Sequence, residues 1–476
     1  MRRLTRRQVL QRIAGGAVAA PAILSGSAAW AQLPPLPDLP STDALLLQPG
    51  DARFSRYQAA FNLRTARAPQ LRALCRNAKA VGTIVNWCRG NNLPFALRSG
   101  GHSYEGLSQS SSVVIDTRIM SSITVNAATK TATVGAGTSL GDLYRAISRY
   151  GLAFPGGSCP TVGVSGHALG GGYGYLARPF GLACDNVLSI DLVDPQGRQV
   201  HADAVENTDL FWACRGGGGG SFGAVTGFRL RLFKAATVLT FDLRWPRLTV
   251  QRATAVMKEW QAWAPQAPRT IDSNLVISPA GNGRISLRCS GMSIGTRREL
   301  QRALQPLWPS PPIVQRSYID AVNHYSGGWD YQTQLMKGKS DYATTPLTGA
   351  GISKLMSEVS ERADIYVICD AYGGAIADIG ADTSAFAHRS GTLYCIQYGS
   401  TWPSPSQTPH RLDDMRQLYA AMRPYVSGGA YVNYCDLDLV DWQQAYWGPH
   451  LARLKQIKSA FDPDNVFKHA QSVPLA

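Results

Sequence analysis

The sequence has 476 residues, of which 45% are hydrophobic and 17% are charged, and its formal net charge is +15. This composition excludes a disordered chain and a collagen-like chain, and the length predicts a globular protein with two domains. Lysines and arginines are scattered rather than grouped in blocks, which predicts a basic soluble surface and no nucleic-acid partner.

Residues 1–31 have the composition of an export signal. They hold five arginines and no acidic residue, then a short apolar stretch and an AWA cleavage site. The letters TRRQVL at residues 5–10 resemble the twin-arginine signal, whose machinery exports folded proteins. We expect a signal peptide, a periplasmic or secreted location and no membrane anchor after cleavage. An ordinary basic leader for unfolded export is the alternative.

The next segments alternate between helix and strand patterns. Residues 32–49 are rich in proline and predict a linker. Helical periodicity runs through residues 68–92, which hold Cys75 and Cys88 and leave a disulfide between them open. The letters PFALRS predict a strand, residues 121–137 and 186–202 predict hairpins, and TSLGDLYRAISRYG predicts a helix capped by Thr138 or Ser139.

The second half of the chain predicts a separate domain. Between residues 236 and 427, strand patterns such as LTFDLRW and ADIYVICDAY alternate with amphipathic helices such as TRRELQRALQPLW. The last segment, residues 428–476, includes a helical face of Leu451, Leu454, Ile457 and Phe461 that Pro463 ends.

Three glycine-rich stretches carry the chemical signal: RSGGHSYEG (98–106), GGSCPTVGVSGHALGGGYGYL (156–176) and RGGGGGSFG (215–223). Such loops let backbone N–H groups approach a pyrophosphate or a planar ring. They match neither the dinucleotide fingerprint nor the P-loop, and the nine cysteines lack the spacings of zinc sites, so no metal is expected.

With AYVNY, FDPDNVF and QSVP near the C-terminus, these motifs resemble the berberine-bridge-enzyme-like branch of the vanillyl-alcohol-oxidase-type flavoproteins. The resemblance implies an α+β, two-domain PCMH-type FAD-binding fold. Residues 50–235 and the returning segment 428–476 would hold FAD. Residues 236–427 would form a substrate domain built on an antiparallel sheet flanked by helices.

The resemblance also implies that FAD is attached at two points, through His102 to the 8α-methyl group and through Cys159 to C6. Imidazole and thiolate are the nucleophiles that such bonds need. A flavin joined in the cytoplasm would explain a signal for folded export. The other implied cofactor-binding residues are Arg98, Ser99, Gly100, Gly101, Ser103, Tyr104, Thr161, Val162, Gly163, Ser165, Gly166, His167, Gly170, Gly171, Gly172, Tyr175, Val225, Asn433 and Asn465.

The family's catalytic base corresponds to Tyr434, the last residue of YVNY, and its partner corresponds to Asp370. A carboxylate beside a phenol can accept or orient its proton. A tyrosine with an aspartate at these positions resembles the oligosaccharide oxidases. Val162 matches the position where oxygen-reactive members carry a small residue, which favours an oxidase, although plain packing is the alternative.

The function that the resemblance implies is an exported oxidase that takes hydride from an alcohol carbon. The expected substrate is a small alcohol or carbohydrate, oxidised at the anomeric carbon, with O2 reduced to H2O2; the twin-arginine machinery is the other expected partner. Aromatic residues that could stack on a sugar are Tyr325, Trp329, Tyr331, Tyr372 and Trp402, although packing in the core, the more frequent role of aromatic residues, is the alternative. Oxidation of a phenolic, alkaloid-like or antibiotic-type compound, and a flavin-binding protein without turnover, are the alternatives.

Overall fold

The computed structural model describes residues 33–330 and 332–476. The predicted signal peptide lies outside these residues, and so does Tyr331. By its contacts the chain divides into a unit that ends at Leu36 and a unit from Pro37 to Ala476. The fold given below is that of the second unit.

The first half of this unit holds a four-stranded and a five-stranded sheet. The four-stranded sheet has the order β1-β2-β4-β3, with β2, β4 and β3 parallel and β1 antiparallel at its edge. The five-stranded sheet has the order β5-β6-β10-β8-β9 and is antiparallel. Their strands are β1 (Ala44–Leu47), β2 (Leu71–Cys75), β3 (Phe95–Arg98), β4 (Val113–Asp116), β5 (Ile123–Asn126), β6 (Thr131–Gly135), β8 (Val187–Val193), β9 (Gln199–Asp203) and β10 (Ala224–Arg231). Strands β7 (Leu152–Ala153) and β11 (Phe233–Lys234) form a separate antiparallel pair.

The second half holds a seven-stranded antiparallel sheet with the order β15-β12-β14-β13-β17-β18-β16. Its strands are β12 (Thr237–Leu248), β13 (Ile271–Pro279), β14 (Ile285–Ser293), β15 (Ile313–Ser317), β16 (Leu335–Ala343), β17 (Ile365–Ala371) and β18 (Tyr394–Trp402). The described residues thus mix helices with mostly antiparallel sheets, so the predicted α+β class is confirmed. The boundary between residues 235 and 236 stays a prediction.

Helices pack on the sheets. They are α1 (Phe54–Gln58), α2 (Ala78–Gly90), α3 (Leu140–Ser148), α4 (Val164–Leu169), α5 (Ala177–Phe180), α6 (Thr208–Ala213), α7 (Val250–Trp263), α8 (Arg297–Leu304), α9 (Tyr318–Ser326), α10 (Gly349–Ser360), α11 (Ala375–Asp378), α12 (Thr408–Met422), α13 (Trp442–Trp447) and α14 (Leu451–Phe461). Among the described residues, no helix is long and apolar enough to cross a membrane.

The seven-stranded sheet has one apolar face and one face turned to the functional site. On β17, Val367 and Cys369 are fully buried in a core shared with helices α7, α10 and α12. Ile368 and Asp370, which point to the opposite face, line a cavity. Because side chains alternate along a strand, the sequence ICDA places Asp370 on the cavity side and its two neighbours in the core.

Several predicted elements are confirmed. Both hairpins form, as β5 with β6 and β8 with β9. Helix α3 is capped by Ser139, whose hydroxyl accepts a hydrogen bond from the N–H of Asp142 at 3.1 Å.

Two expectations about the start of the chain are wrong. The end of the predicted linker forms β1, which pairs with β2. The first part of the predicted helix is β2, in which every residue of LRALC is buried. A parallel strand covered on both faces carries a continuous apolar run that periodicity cannot separate from a helix. Cys75 therefore lies on a strand and Cys88 on α2, and both are buried free thiols.

Candidate active site

A cavity of about 450 Å³ lies between the glycine-rich loops of the first half and the seven-stranded sheet. The loops contribute residues from the three glycine-rich stretches found in the sequence. The sheet contributes Asn274, Ile368, Asp370 and Gln397, and the C-terminal segment contributes residues 431–435. The cavity is therefore closed by parts of the chain that are far apart in sequence.

The two glycines before His102 have different structural causes, a left-handed backbone at Gly101 and a close contact with another loop at Gly100. Gly101 has a φ of +72°, the left-handed region that favours glycine. A Cβ added to Gly100 would lie 2.3 Å from the backbone nitrogen of Gly163. The loop that carries His102 thus touches the loop that carries Cys159, backbone against backbone.

Thr161 joins the two predicted attachment residues. Its Oγ1 lies 2.9 Å from His102 Nε2 and 3.6 Å from Cys159 Sγ. Burial, helped by the positive charge of Arg98, lowers the pKa of His102 to about 4. The imidazole is therefore neutral at pH 7 and keeps the lone pair that a nucleophile needs.

These residues fit FAD. His102 and Cys159 both line the cavity, and Cys159 is half-buried whereas the other eight cysteines, all in the described part of the chain, are buried. A Cβ added to Gly166, another lining residue, would meet no protein atom within 4 Å. The site thus offers two nucleophiles of the required kinds beside a surface that is left open to a ligand.

Tyr434 lies in the 3-10 turn Val432–Tyr434 and faces the cavity. Its ring stacks parallel to that of Tyr104, with centroids 5.5 Å apart and planes 3° apart. Tyr431 packs its ring edge against it at 4.8 Å. Burial, and next the charge of Asp370, raise the pKa of Tyr434 well above its ordinary value. The phenol is held in a fixed orientation but ionises only with help.

Asp370 lies on β17 between Asn274 of β13 and Cys395 of β18. Among the described residues, no side chain or backbone group makes a hydrogen bond to its carboxyl group. The expectation that this carboxylate accepts or orients the Tyr434 proton is therefore wrong for this structure, in which the charge of Asp370 opposes ionisation of the phenol. Burial, and next the charge of Asp272, raise the pKa of Asp370 to about 8. The group is therefore protonated at neutral pH and can donate a hydrogen bond.

Most of the predicted cofactor-binding residues meet at this cavity. Those that line it, besides His102 and Cys159, are Arg98, Ser99, Gly100, Gly101, Ser103, Tyr104, Val162, Gly163, Ser165, Gly166, His167, Tyr175, Val225 and Asn433.

Five predicted residues do not line the cavity: Thr161, Gly170, Gly171, Gly172 and Asn465. Thr161 instead contacts the two attachment residues. The three glycines make room for other side chains. An added Cβ would lie 2.1 Å from Asn433 Oδ1 at Gly170, 2.7 Å from the Phe386 ring at Gly171 and 2.5 Å from the Ala183 Cβ at Gly172. Asn465, with φ +50°, lies in the turn after α14 and donates its N–H to the carbonyl of Asp462.

The predicted aromatic platform is wrong for the residues that the structure describes. Tyr372 and Trp402 are buried, and Tyr325 donates its hydroxyl to the carbonyls of Phe241 and Gly291. Trp329 lies under the Arg145 guanidinium at 4.5 Å. None of these four lines the cavity.

Other residues form the lining that the sequence did not assign. They include Phe61, Tyr173, Asn274, Ile368, Gln397, Tyr446, His469, Gln471 and glycines 217–220. The run RGGGGGSFG was the available signal for the glycines. The strand residues could have been found from the alternation that fixes Asp370, but only with the pairing of the strands known.

Two family models match the chain. The model described as "FAD binding domain" matches residues 69–203, and the model described as "Berberine and berberine like" matches residues 430–474.

Known proteins match most of its length. The uncharacterized FAD-linked oxidoreductase YgaK of Bacillus subtilis (strain 168) is 32% identical over 436 residues, which cover 89% of this chain and 95% of the relative. Reticuline oxidase of Eschscholzia californica is 30% identical over 437 residues, covering 83% and 81%. The solved structure of Phl p 4, a grass pollen allergen with glucose dehydrogenase activity, superposes with a TM-score of 0.84 at 28% identity and covers 92% of this chain and 98% of that one.

The site and these similarities agree, since the cavity is lined by the matched FAD-binding region and by the matched C-terminal region. The chain has the PCMH-type FAD-binding fold and belongs to the berberine bridge enzyme-like family of FAD-linked oxidoreductases.

Proposed function

We propose that the protein is an exported oxidase that oxidises the anomeric carbon of a mono- or oligosaccharide and reduces O2 to H2O2. One observation carries the proposal. Tyr434 and Asp370 face the same cavity as His102 and Cys159, although they lie on different elements. A base and a hydrogen-bond donor thus face the two residues that would hold the cofactor.

We infer double attachment of FAD, through His102 and Cys159. The inference is supported by the contact that each makes with Thr161 and by the neutral imidazole. Glycines 217–220 line the same cavity. Val162 also lines it, and its small side chain supports the use of O2 as the electron acceptor.

The chain's own residues would handle the proton. FAD, when bound, supplies the hydride acceptor and passes the electrons to O2. In its ionised form, Tyr434 would accept the hydroxyl proton of the substrate and become the neutral phenol, and the parallel ring of Tyr104 keeps its side chain in place. Below pH of about 8, the pKa of Asp370, the protonated carboxyl group of Asp370 can donate to a substrate oxygen. Substrate would lose one hydride and one proton, and O2 would gain both to form H2O2.

The sheet side of the cavity supports a sugar. Asn274, Asp370 and Gln397 present polar groups there, and a structural relative has glucose dehydrogenase activity. The aromatic part of the lining, which includes Phe61 and Tyr104, supports a second candidate substrate, an aromatic alcohol or an alkaloid. One relative is a reticuline oxidase. A panel with D-glucose, cellobiose, an alditol and coniferyl alcohol, assayed for H2O2, separates the two. No H2O2 with any of them would favour a flavin-binding protein without turnover.

The Tyr434→Phe variant tests the base. It keeps the ring and its stacking but removes the proton acceptor, so we expect anaerobic flavin bleaching by substrate to slow by roughly 10² to 10⁴, the usual contribution of a positioned base. Tyr325→Phe is the matched control, because its hydroxyl contacts only backbone carbonyls outside the cavity. A Tyr434→Phe rate within about threefold of the control would assign the base elsewhere, since a positioned base contributes far more.

A further inference from the structure

Strand β16 contacts both loops that carry the ring pair Tyr104–Tyr434. Lys337 and Lys339 on this strand are almost fully buried. Lys337 Nζ lies 2.6 Å from Glu105 Oε1 and 2.6 Å from Asp436 Oδ1. Glu105 directly follows Tyr104, and Asp436 comes two residues after Tyr434. One ammonium group therefore ties together the two chain segments on which the rings are mounted.

Lys339, Arg64 and Asp438 complete this ion network. Asp438 Oδ2 lies 3.3 Å from Lys337 Nζ and 3.2 Å from Lys339 Nζ. Lys339 Nζ lies 2.7 Å from Asp436 Oδ2, and Arg64 Nη2 lies 2.7 Å from Glu105 Oε2. Each oxygen of the two buried carboxylates thus has a cationic partner. Burial opposes the charge of Lys337, but Asp436 and Glu105 outweigh it and raise the pKa of this lysine, so Lys337 stays charged.

Gly338, between the two lysines, makes room for the Tyr104 ring. A Cβ at this position would lie 2.5 Å from Tyr104 Cδ2 and 2.7 Å from Cε2. The backbone of Tyr104 is fixed to the same strand, because Asn62 Nδ2 donates to the carbonyls of Tyr104 at 2.6 Å and of Met336 at 3.1 Å. Strand β16 therefore sets the position of both the ring and its backbone.

We propose that the triplet Lys337-Gly338-Lys339 positions the Tyr104–Tyr434 ring pair, and that these three residues thereby control the rate of substrate oxidation without touching the substrate. The inference rests on the proposed role of Tyr434 as the base. None of the three residues lines the cavity, so they act through the two tyrosines. A base displaced by about 1 Å loses roughly 10²-fold in rate, which gives the expected size of the effect.

The test uses the full-length flavin-loaded protein with D-glucose and coniferyl alcohol as probes. Lys337→Met removes the ammonium group, Lys337→Arg keeps the charge, and Gly338→Ala displaces the Tyr104 ring. Arg389→Met is the matched control, because it removes a buried cation paired with Asp185 and Ser384 outside the cavity. Stopped-flow bleaching without oxygen gives the limiting rate and the apparent substrate affinity separately, and the pH dependence of the limiting rate is recorded for each variant.

We expect Lys337→Met and Gly338→Ala to lower the limiting rate by roughly 10- to 100-fold. The pH at which this rate changes should shift in both variants, and the flavin should stay attached. Lys337→Arg should recover part of the rate. Arg389→Met should keep the limiting rate of the wild type and its pH dependence, even if this variant unfolds more easily. Limiting rates within about threefold of wild type, or an equal loss in Arg389→Met, would overturn the inference, because a mere loss of a buried charge would then explain the data.

If Lys337→Met does not accumulate as folded protein, the limiting rate of Gly338→Ala alone tests the positioning role. Tyr434→Phe is measured beside these variants. A slow Tyr434→Phe with normal triplet variants overturns only the positioning role, whereas a normal Tyr434→Phe overturns the proposed base and the positioning role together.

Discussion

Asp370 shows how burial changes the role of a single residue. A carboxylate was expected to help Tyr434 ionise. The structure gives Asp370 a pKa of about 8, and its charge raises the pKa of Tyr434 rather than lowering it. Two acidic groups in one desolvated site oppose each other's ionisation. Asp370 is thus suited to donate a hydrogen bond at neutral pH, and Tyr434 is the better proton acceptor only when Asp370 is neutral.

This relation predicts the pH behaviour of Asp370→Asn. In the wild type, raising the pH above about 8 creates a carboxylate that makes ionisation of Tyr434 harder. The amide cannot ionise, so we expect the alkaline part of the rate profile, measured by anaerobic bleaching between pH 5 and pH 10 at roughly constant salt, to move to lower pH. A shift to higher pH would show instead that the carboxylate assists Tyr434.

The proposed double attachment makes a prediction for His102 and Cys159. Acid-precipitated wild-type protein should stay yellow, and the intact mass should include one FAD. Because each residue would form its own bond, His102→Ala or Cys159→Ala alone should leave the flavin singly attached, and only the double variant should release it. Free FAD in the supernatant of the unmodified protein would rule out covalent attachment.

At the scale of elements, the loops of His102 and Cys159 form one unit. A Cβ at Gly163 would lie 2.3 Å from Ser99 Oγ and 2.5 Å from the nitrogen of Gly100. The φ of Gly163 is −73°, which any residue adopts, so only this contact requires glycine there. The distance between the two proposed attachment residues therefore depends on the absence of one methyl group.

We expect Gly163→Ala to reduce flavin loading, because the methyl group must separate the two loops. The overpacking should destabilise the protein by about 1–3 kcal/mol. The measurements are the flavin-to-protein absorbance ratio and thermal unfolding. Gly90→Ala, at the end of α2 with no atom within 4 Å of the added Cβ, is the control and should load normally. Full loading of Gly163→Ala would mean that the loops can yield without loss of the site.

Elements with a local cause could be predicted from the sequence. The hairpins and the Ser139 cap follow from alternation and from a side-chain hydrogen bond, which neighbouring residues determine. Strand β2 could not be separated from a helix, because its burial depends on both layers around it. The aromatic platform failed for the same reason: a tyrosine in the core, such as Tyr372, has the same sequence signal as Tyr173 in the cavity. Glycine marks a close approach, but the sequence does not show which atom approaches.

At the scale of the whole molecule, the cavity joins three distant parts of the chain. Residues of the first half, of the seven-stranded sheet and of the C-terminal segment all line it. The site therefore exists only when nearly the whole chain is folded. Attachment of FAD through His102 and Cys159 would then follow folding, and folding would precede export.

The signal peptide can be tested on this basis. With Arg6→Lys and Arg7→Lys together, we expect flavin-loaded protein to stay in the cytoplasm, because the twin-arginine machinery recognises the arginine pair and not its charge. Arg2→Lys with Arg3→Lys keeps the same total charge outside the TRRQVL run and should be exported. Cell fractionation with flavin fluorescence of the protein band gives the result. Normal export of the first variant would favour the unfolded route.

The free cysteines bear on the proposed export of the protein. Besides Cys159, eight thiols are buried, and burial raises the pKa of each of them. A protonated, shielded thiol does not react with oxidants. An unfolded chain arriving in an oxidising compartment would expose all nine thiols, any eight of which can pair in about 105 ways. The proposed crossing of the membrane in the folded state would remove that hazard, because the native packing already shields these thiols from oxidants when the protein reaches that compartment.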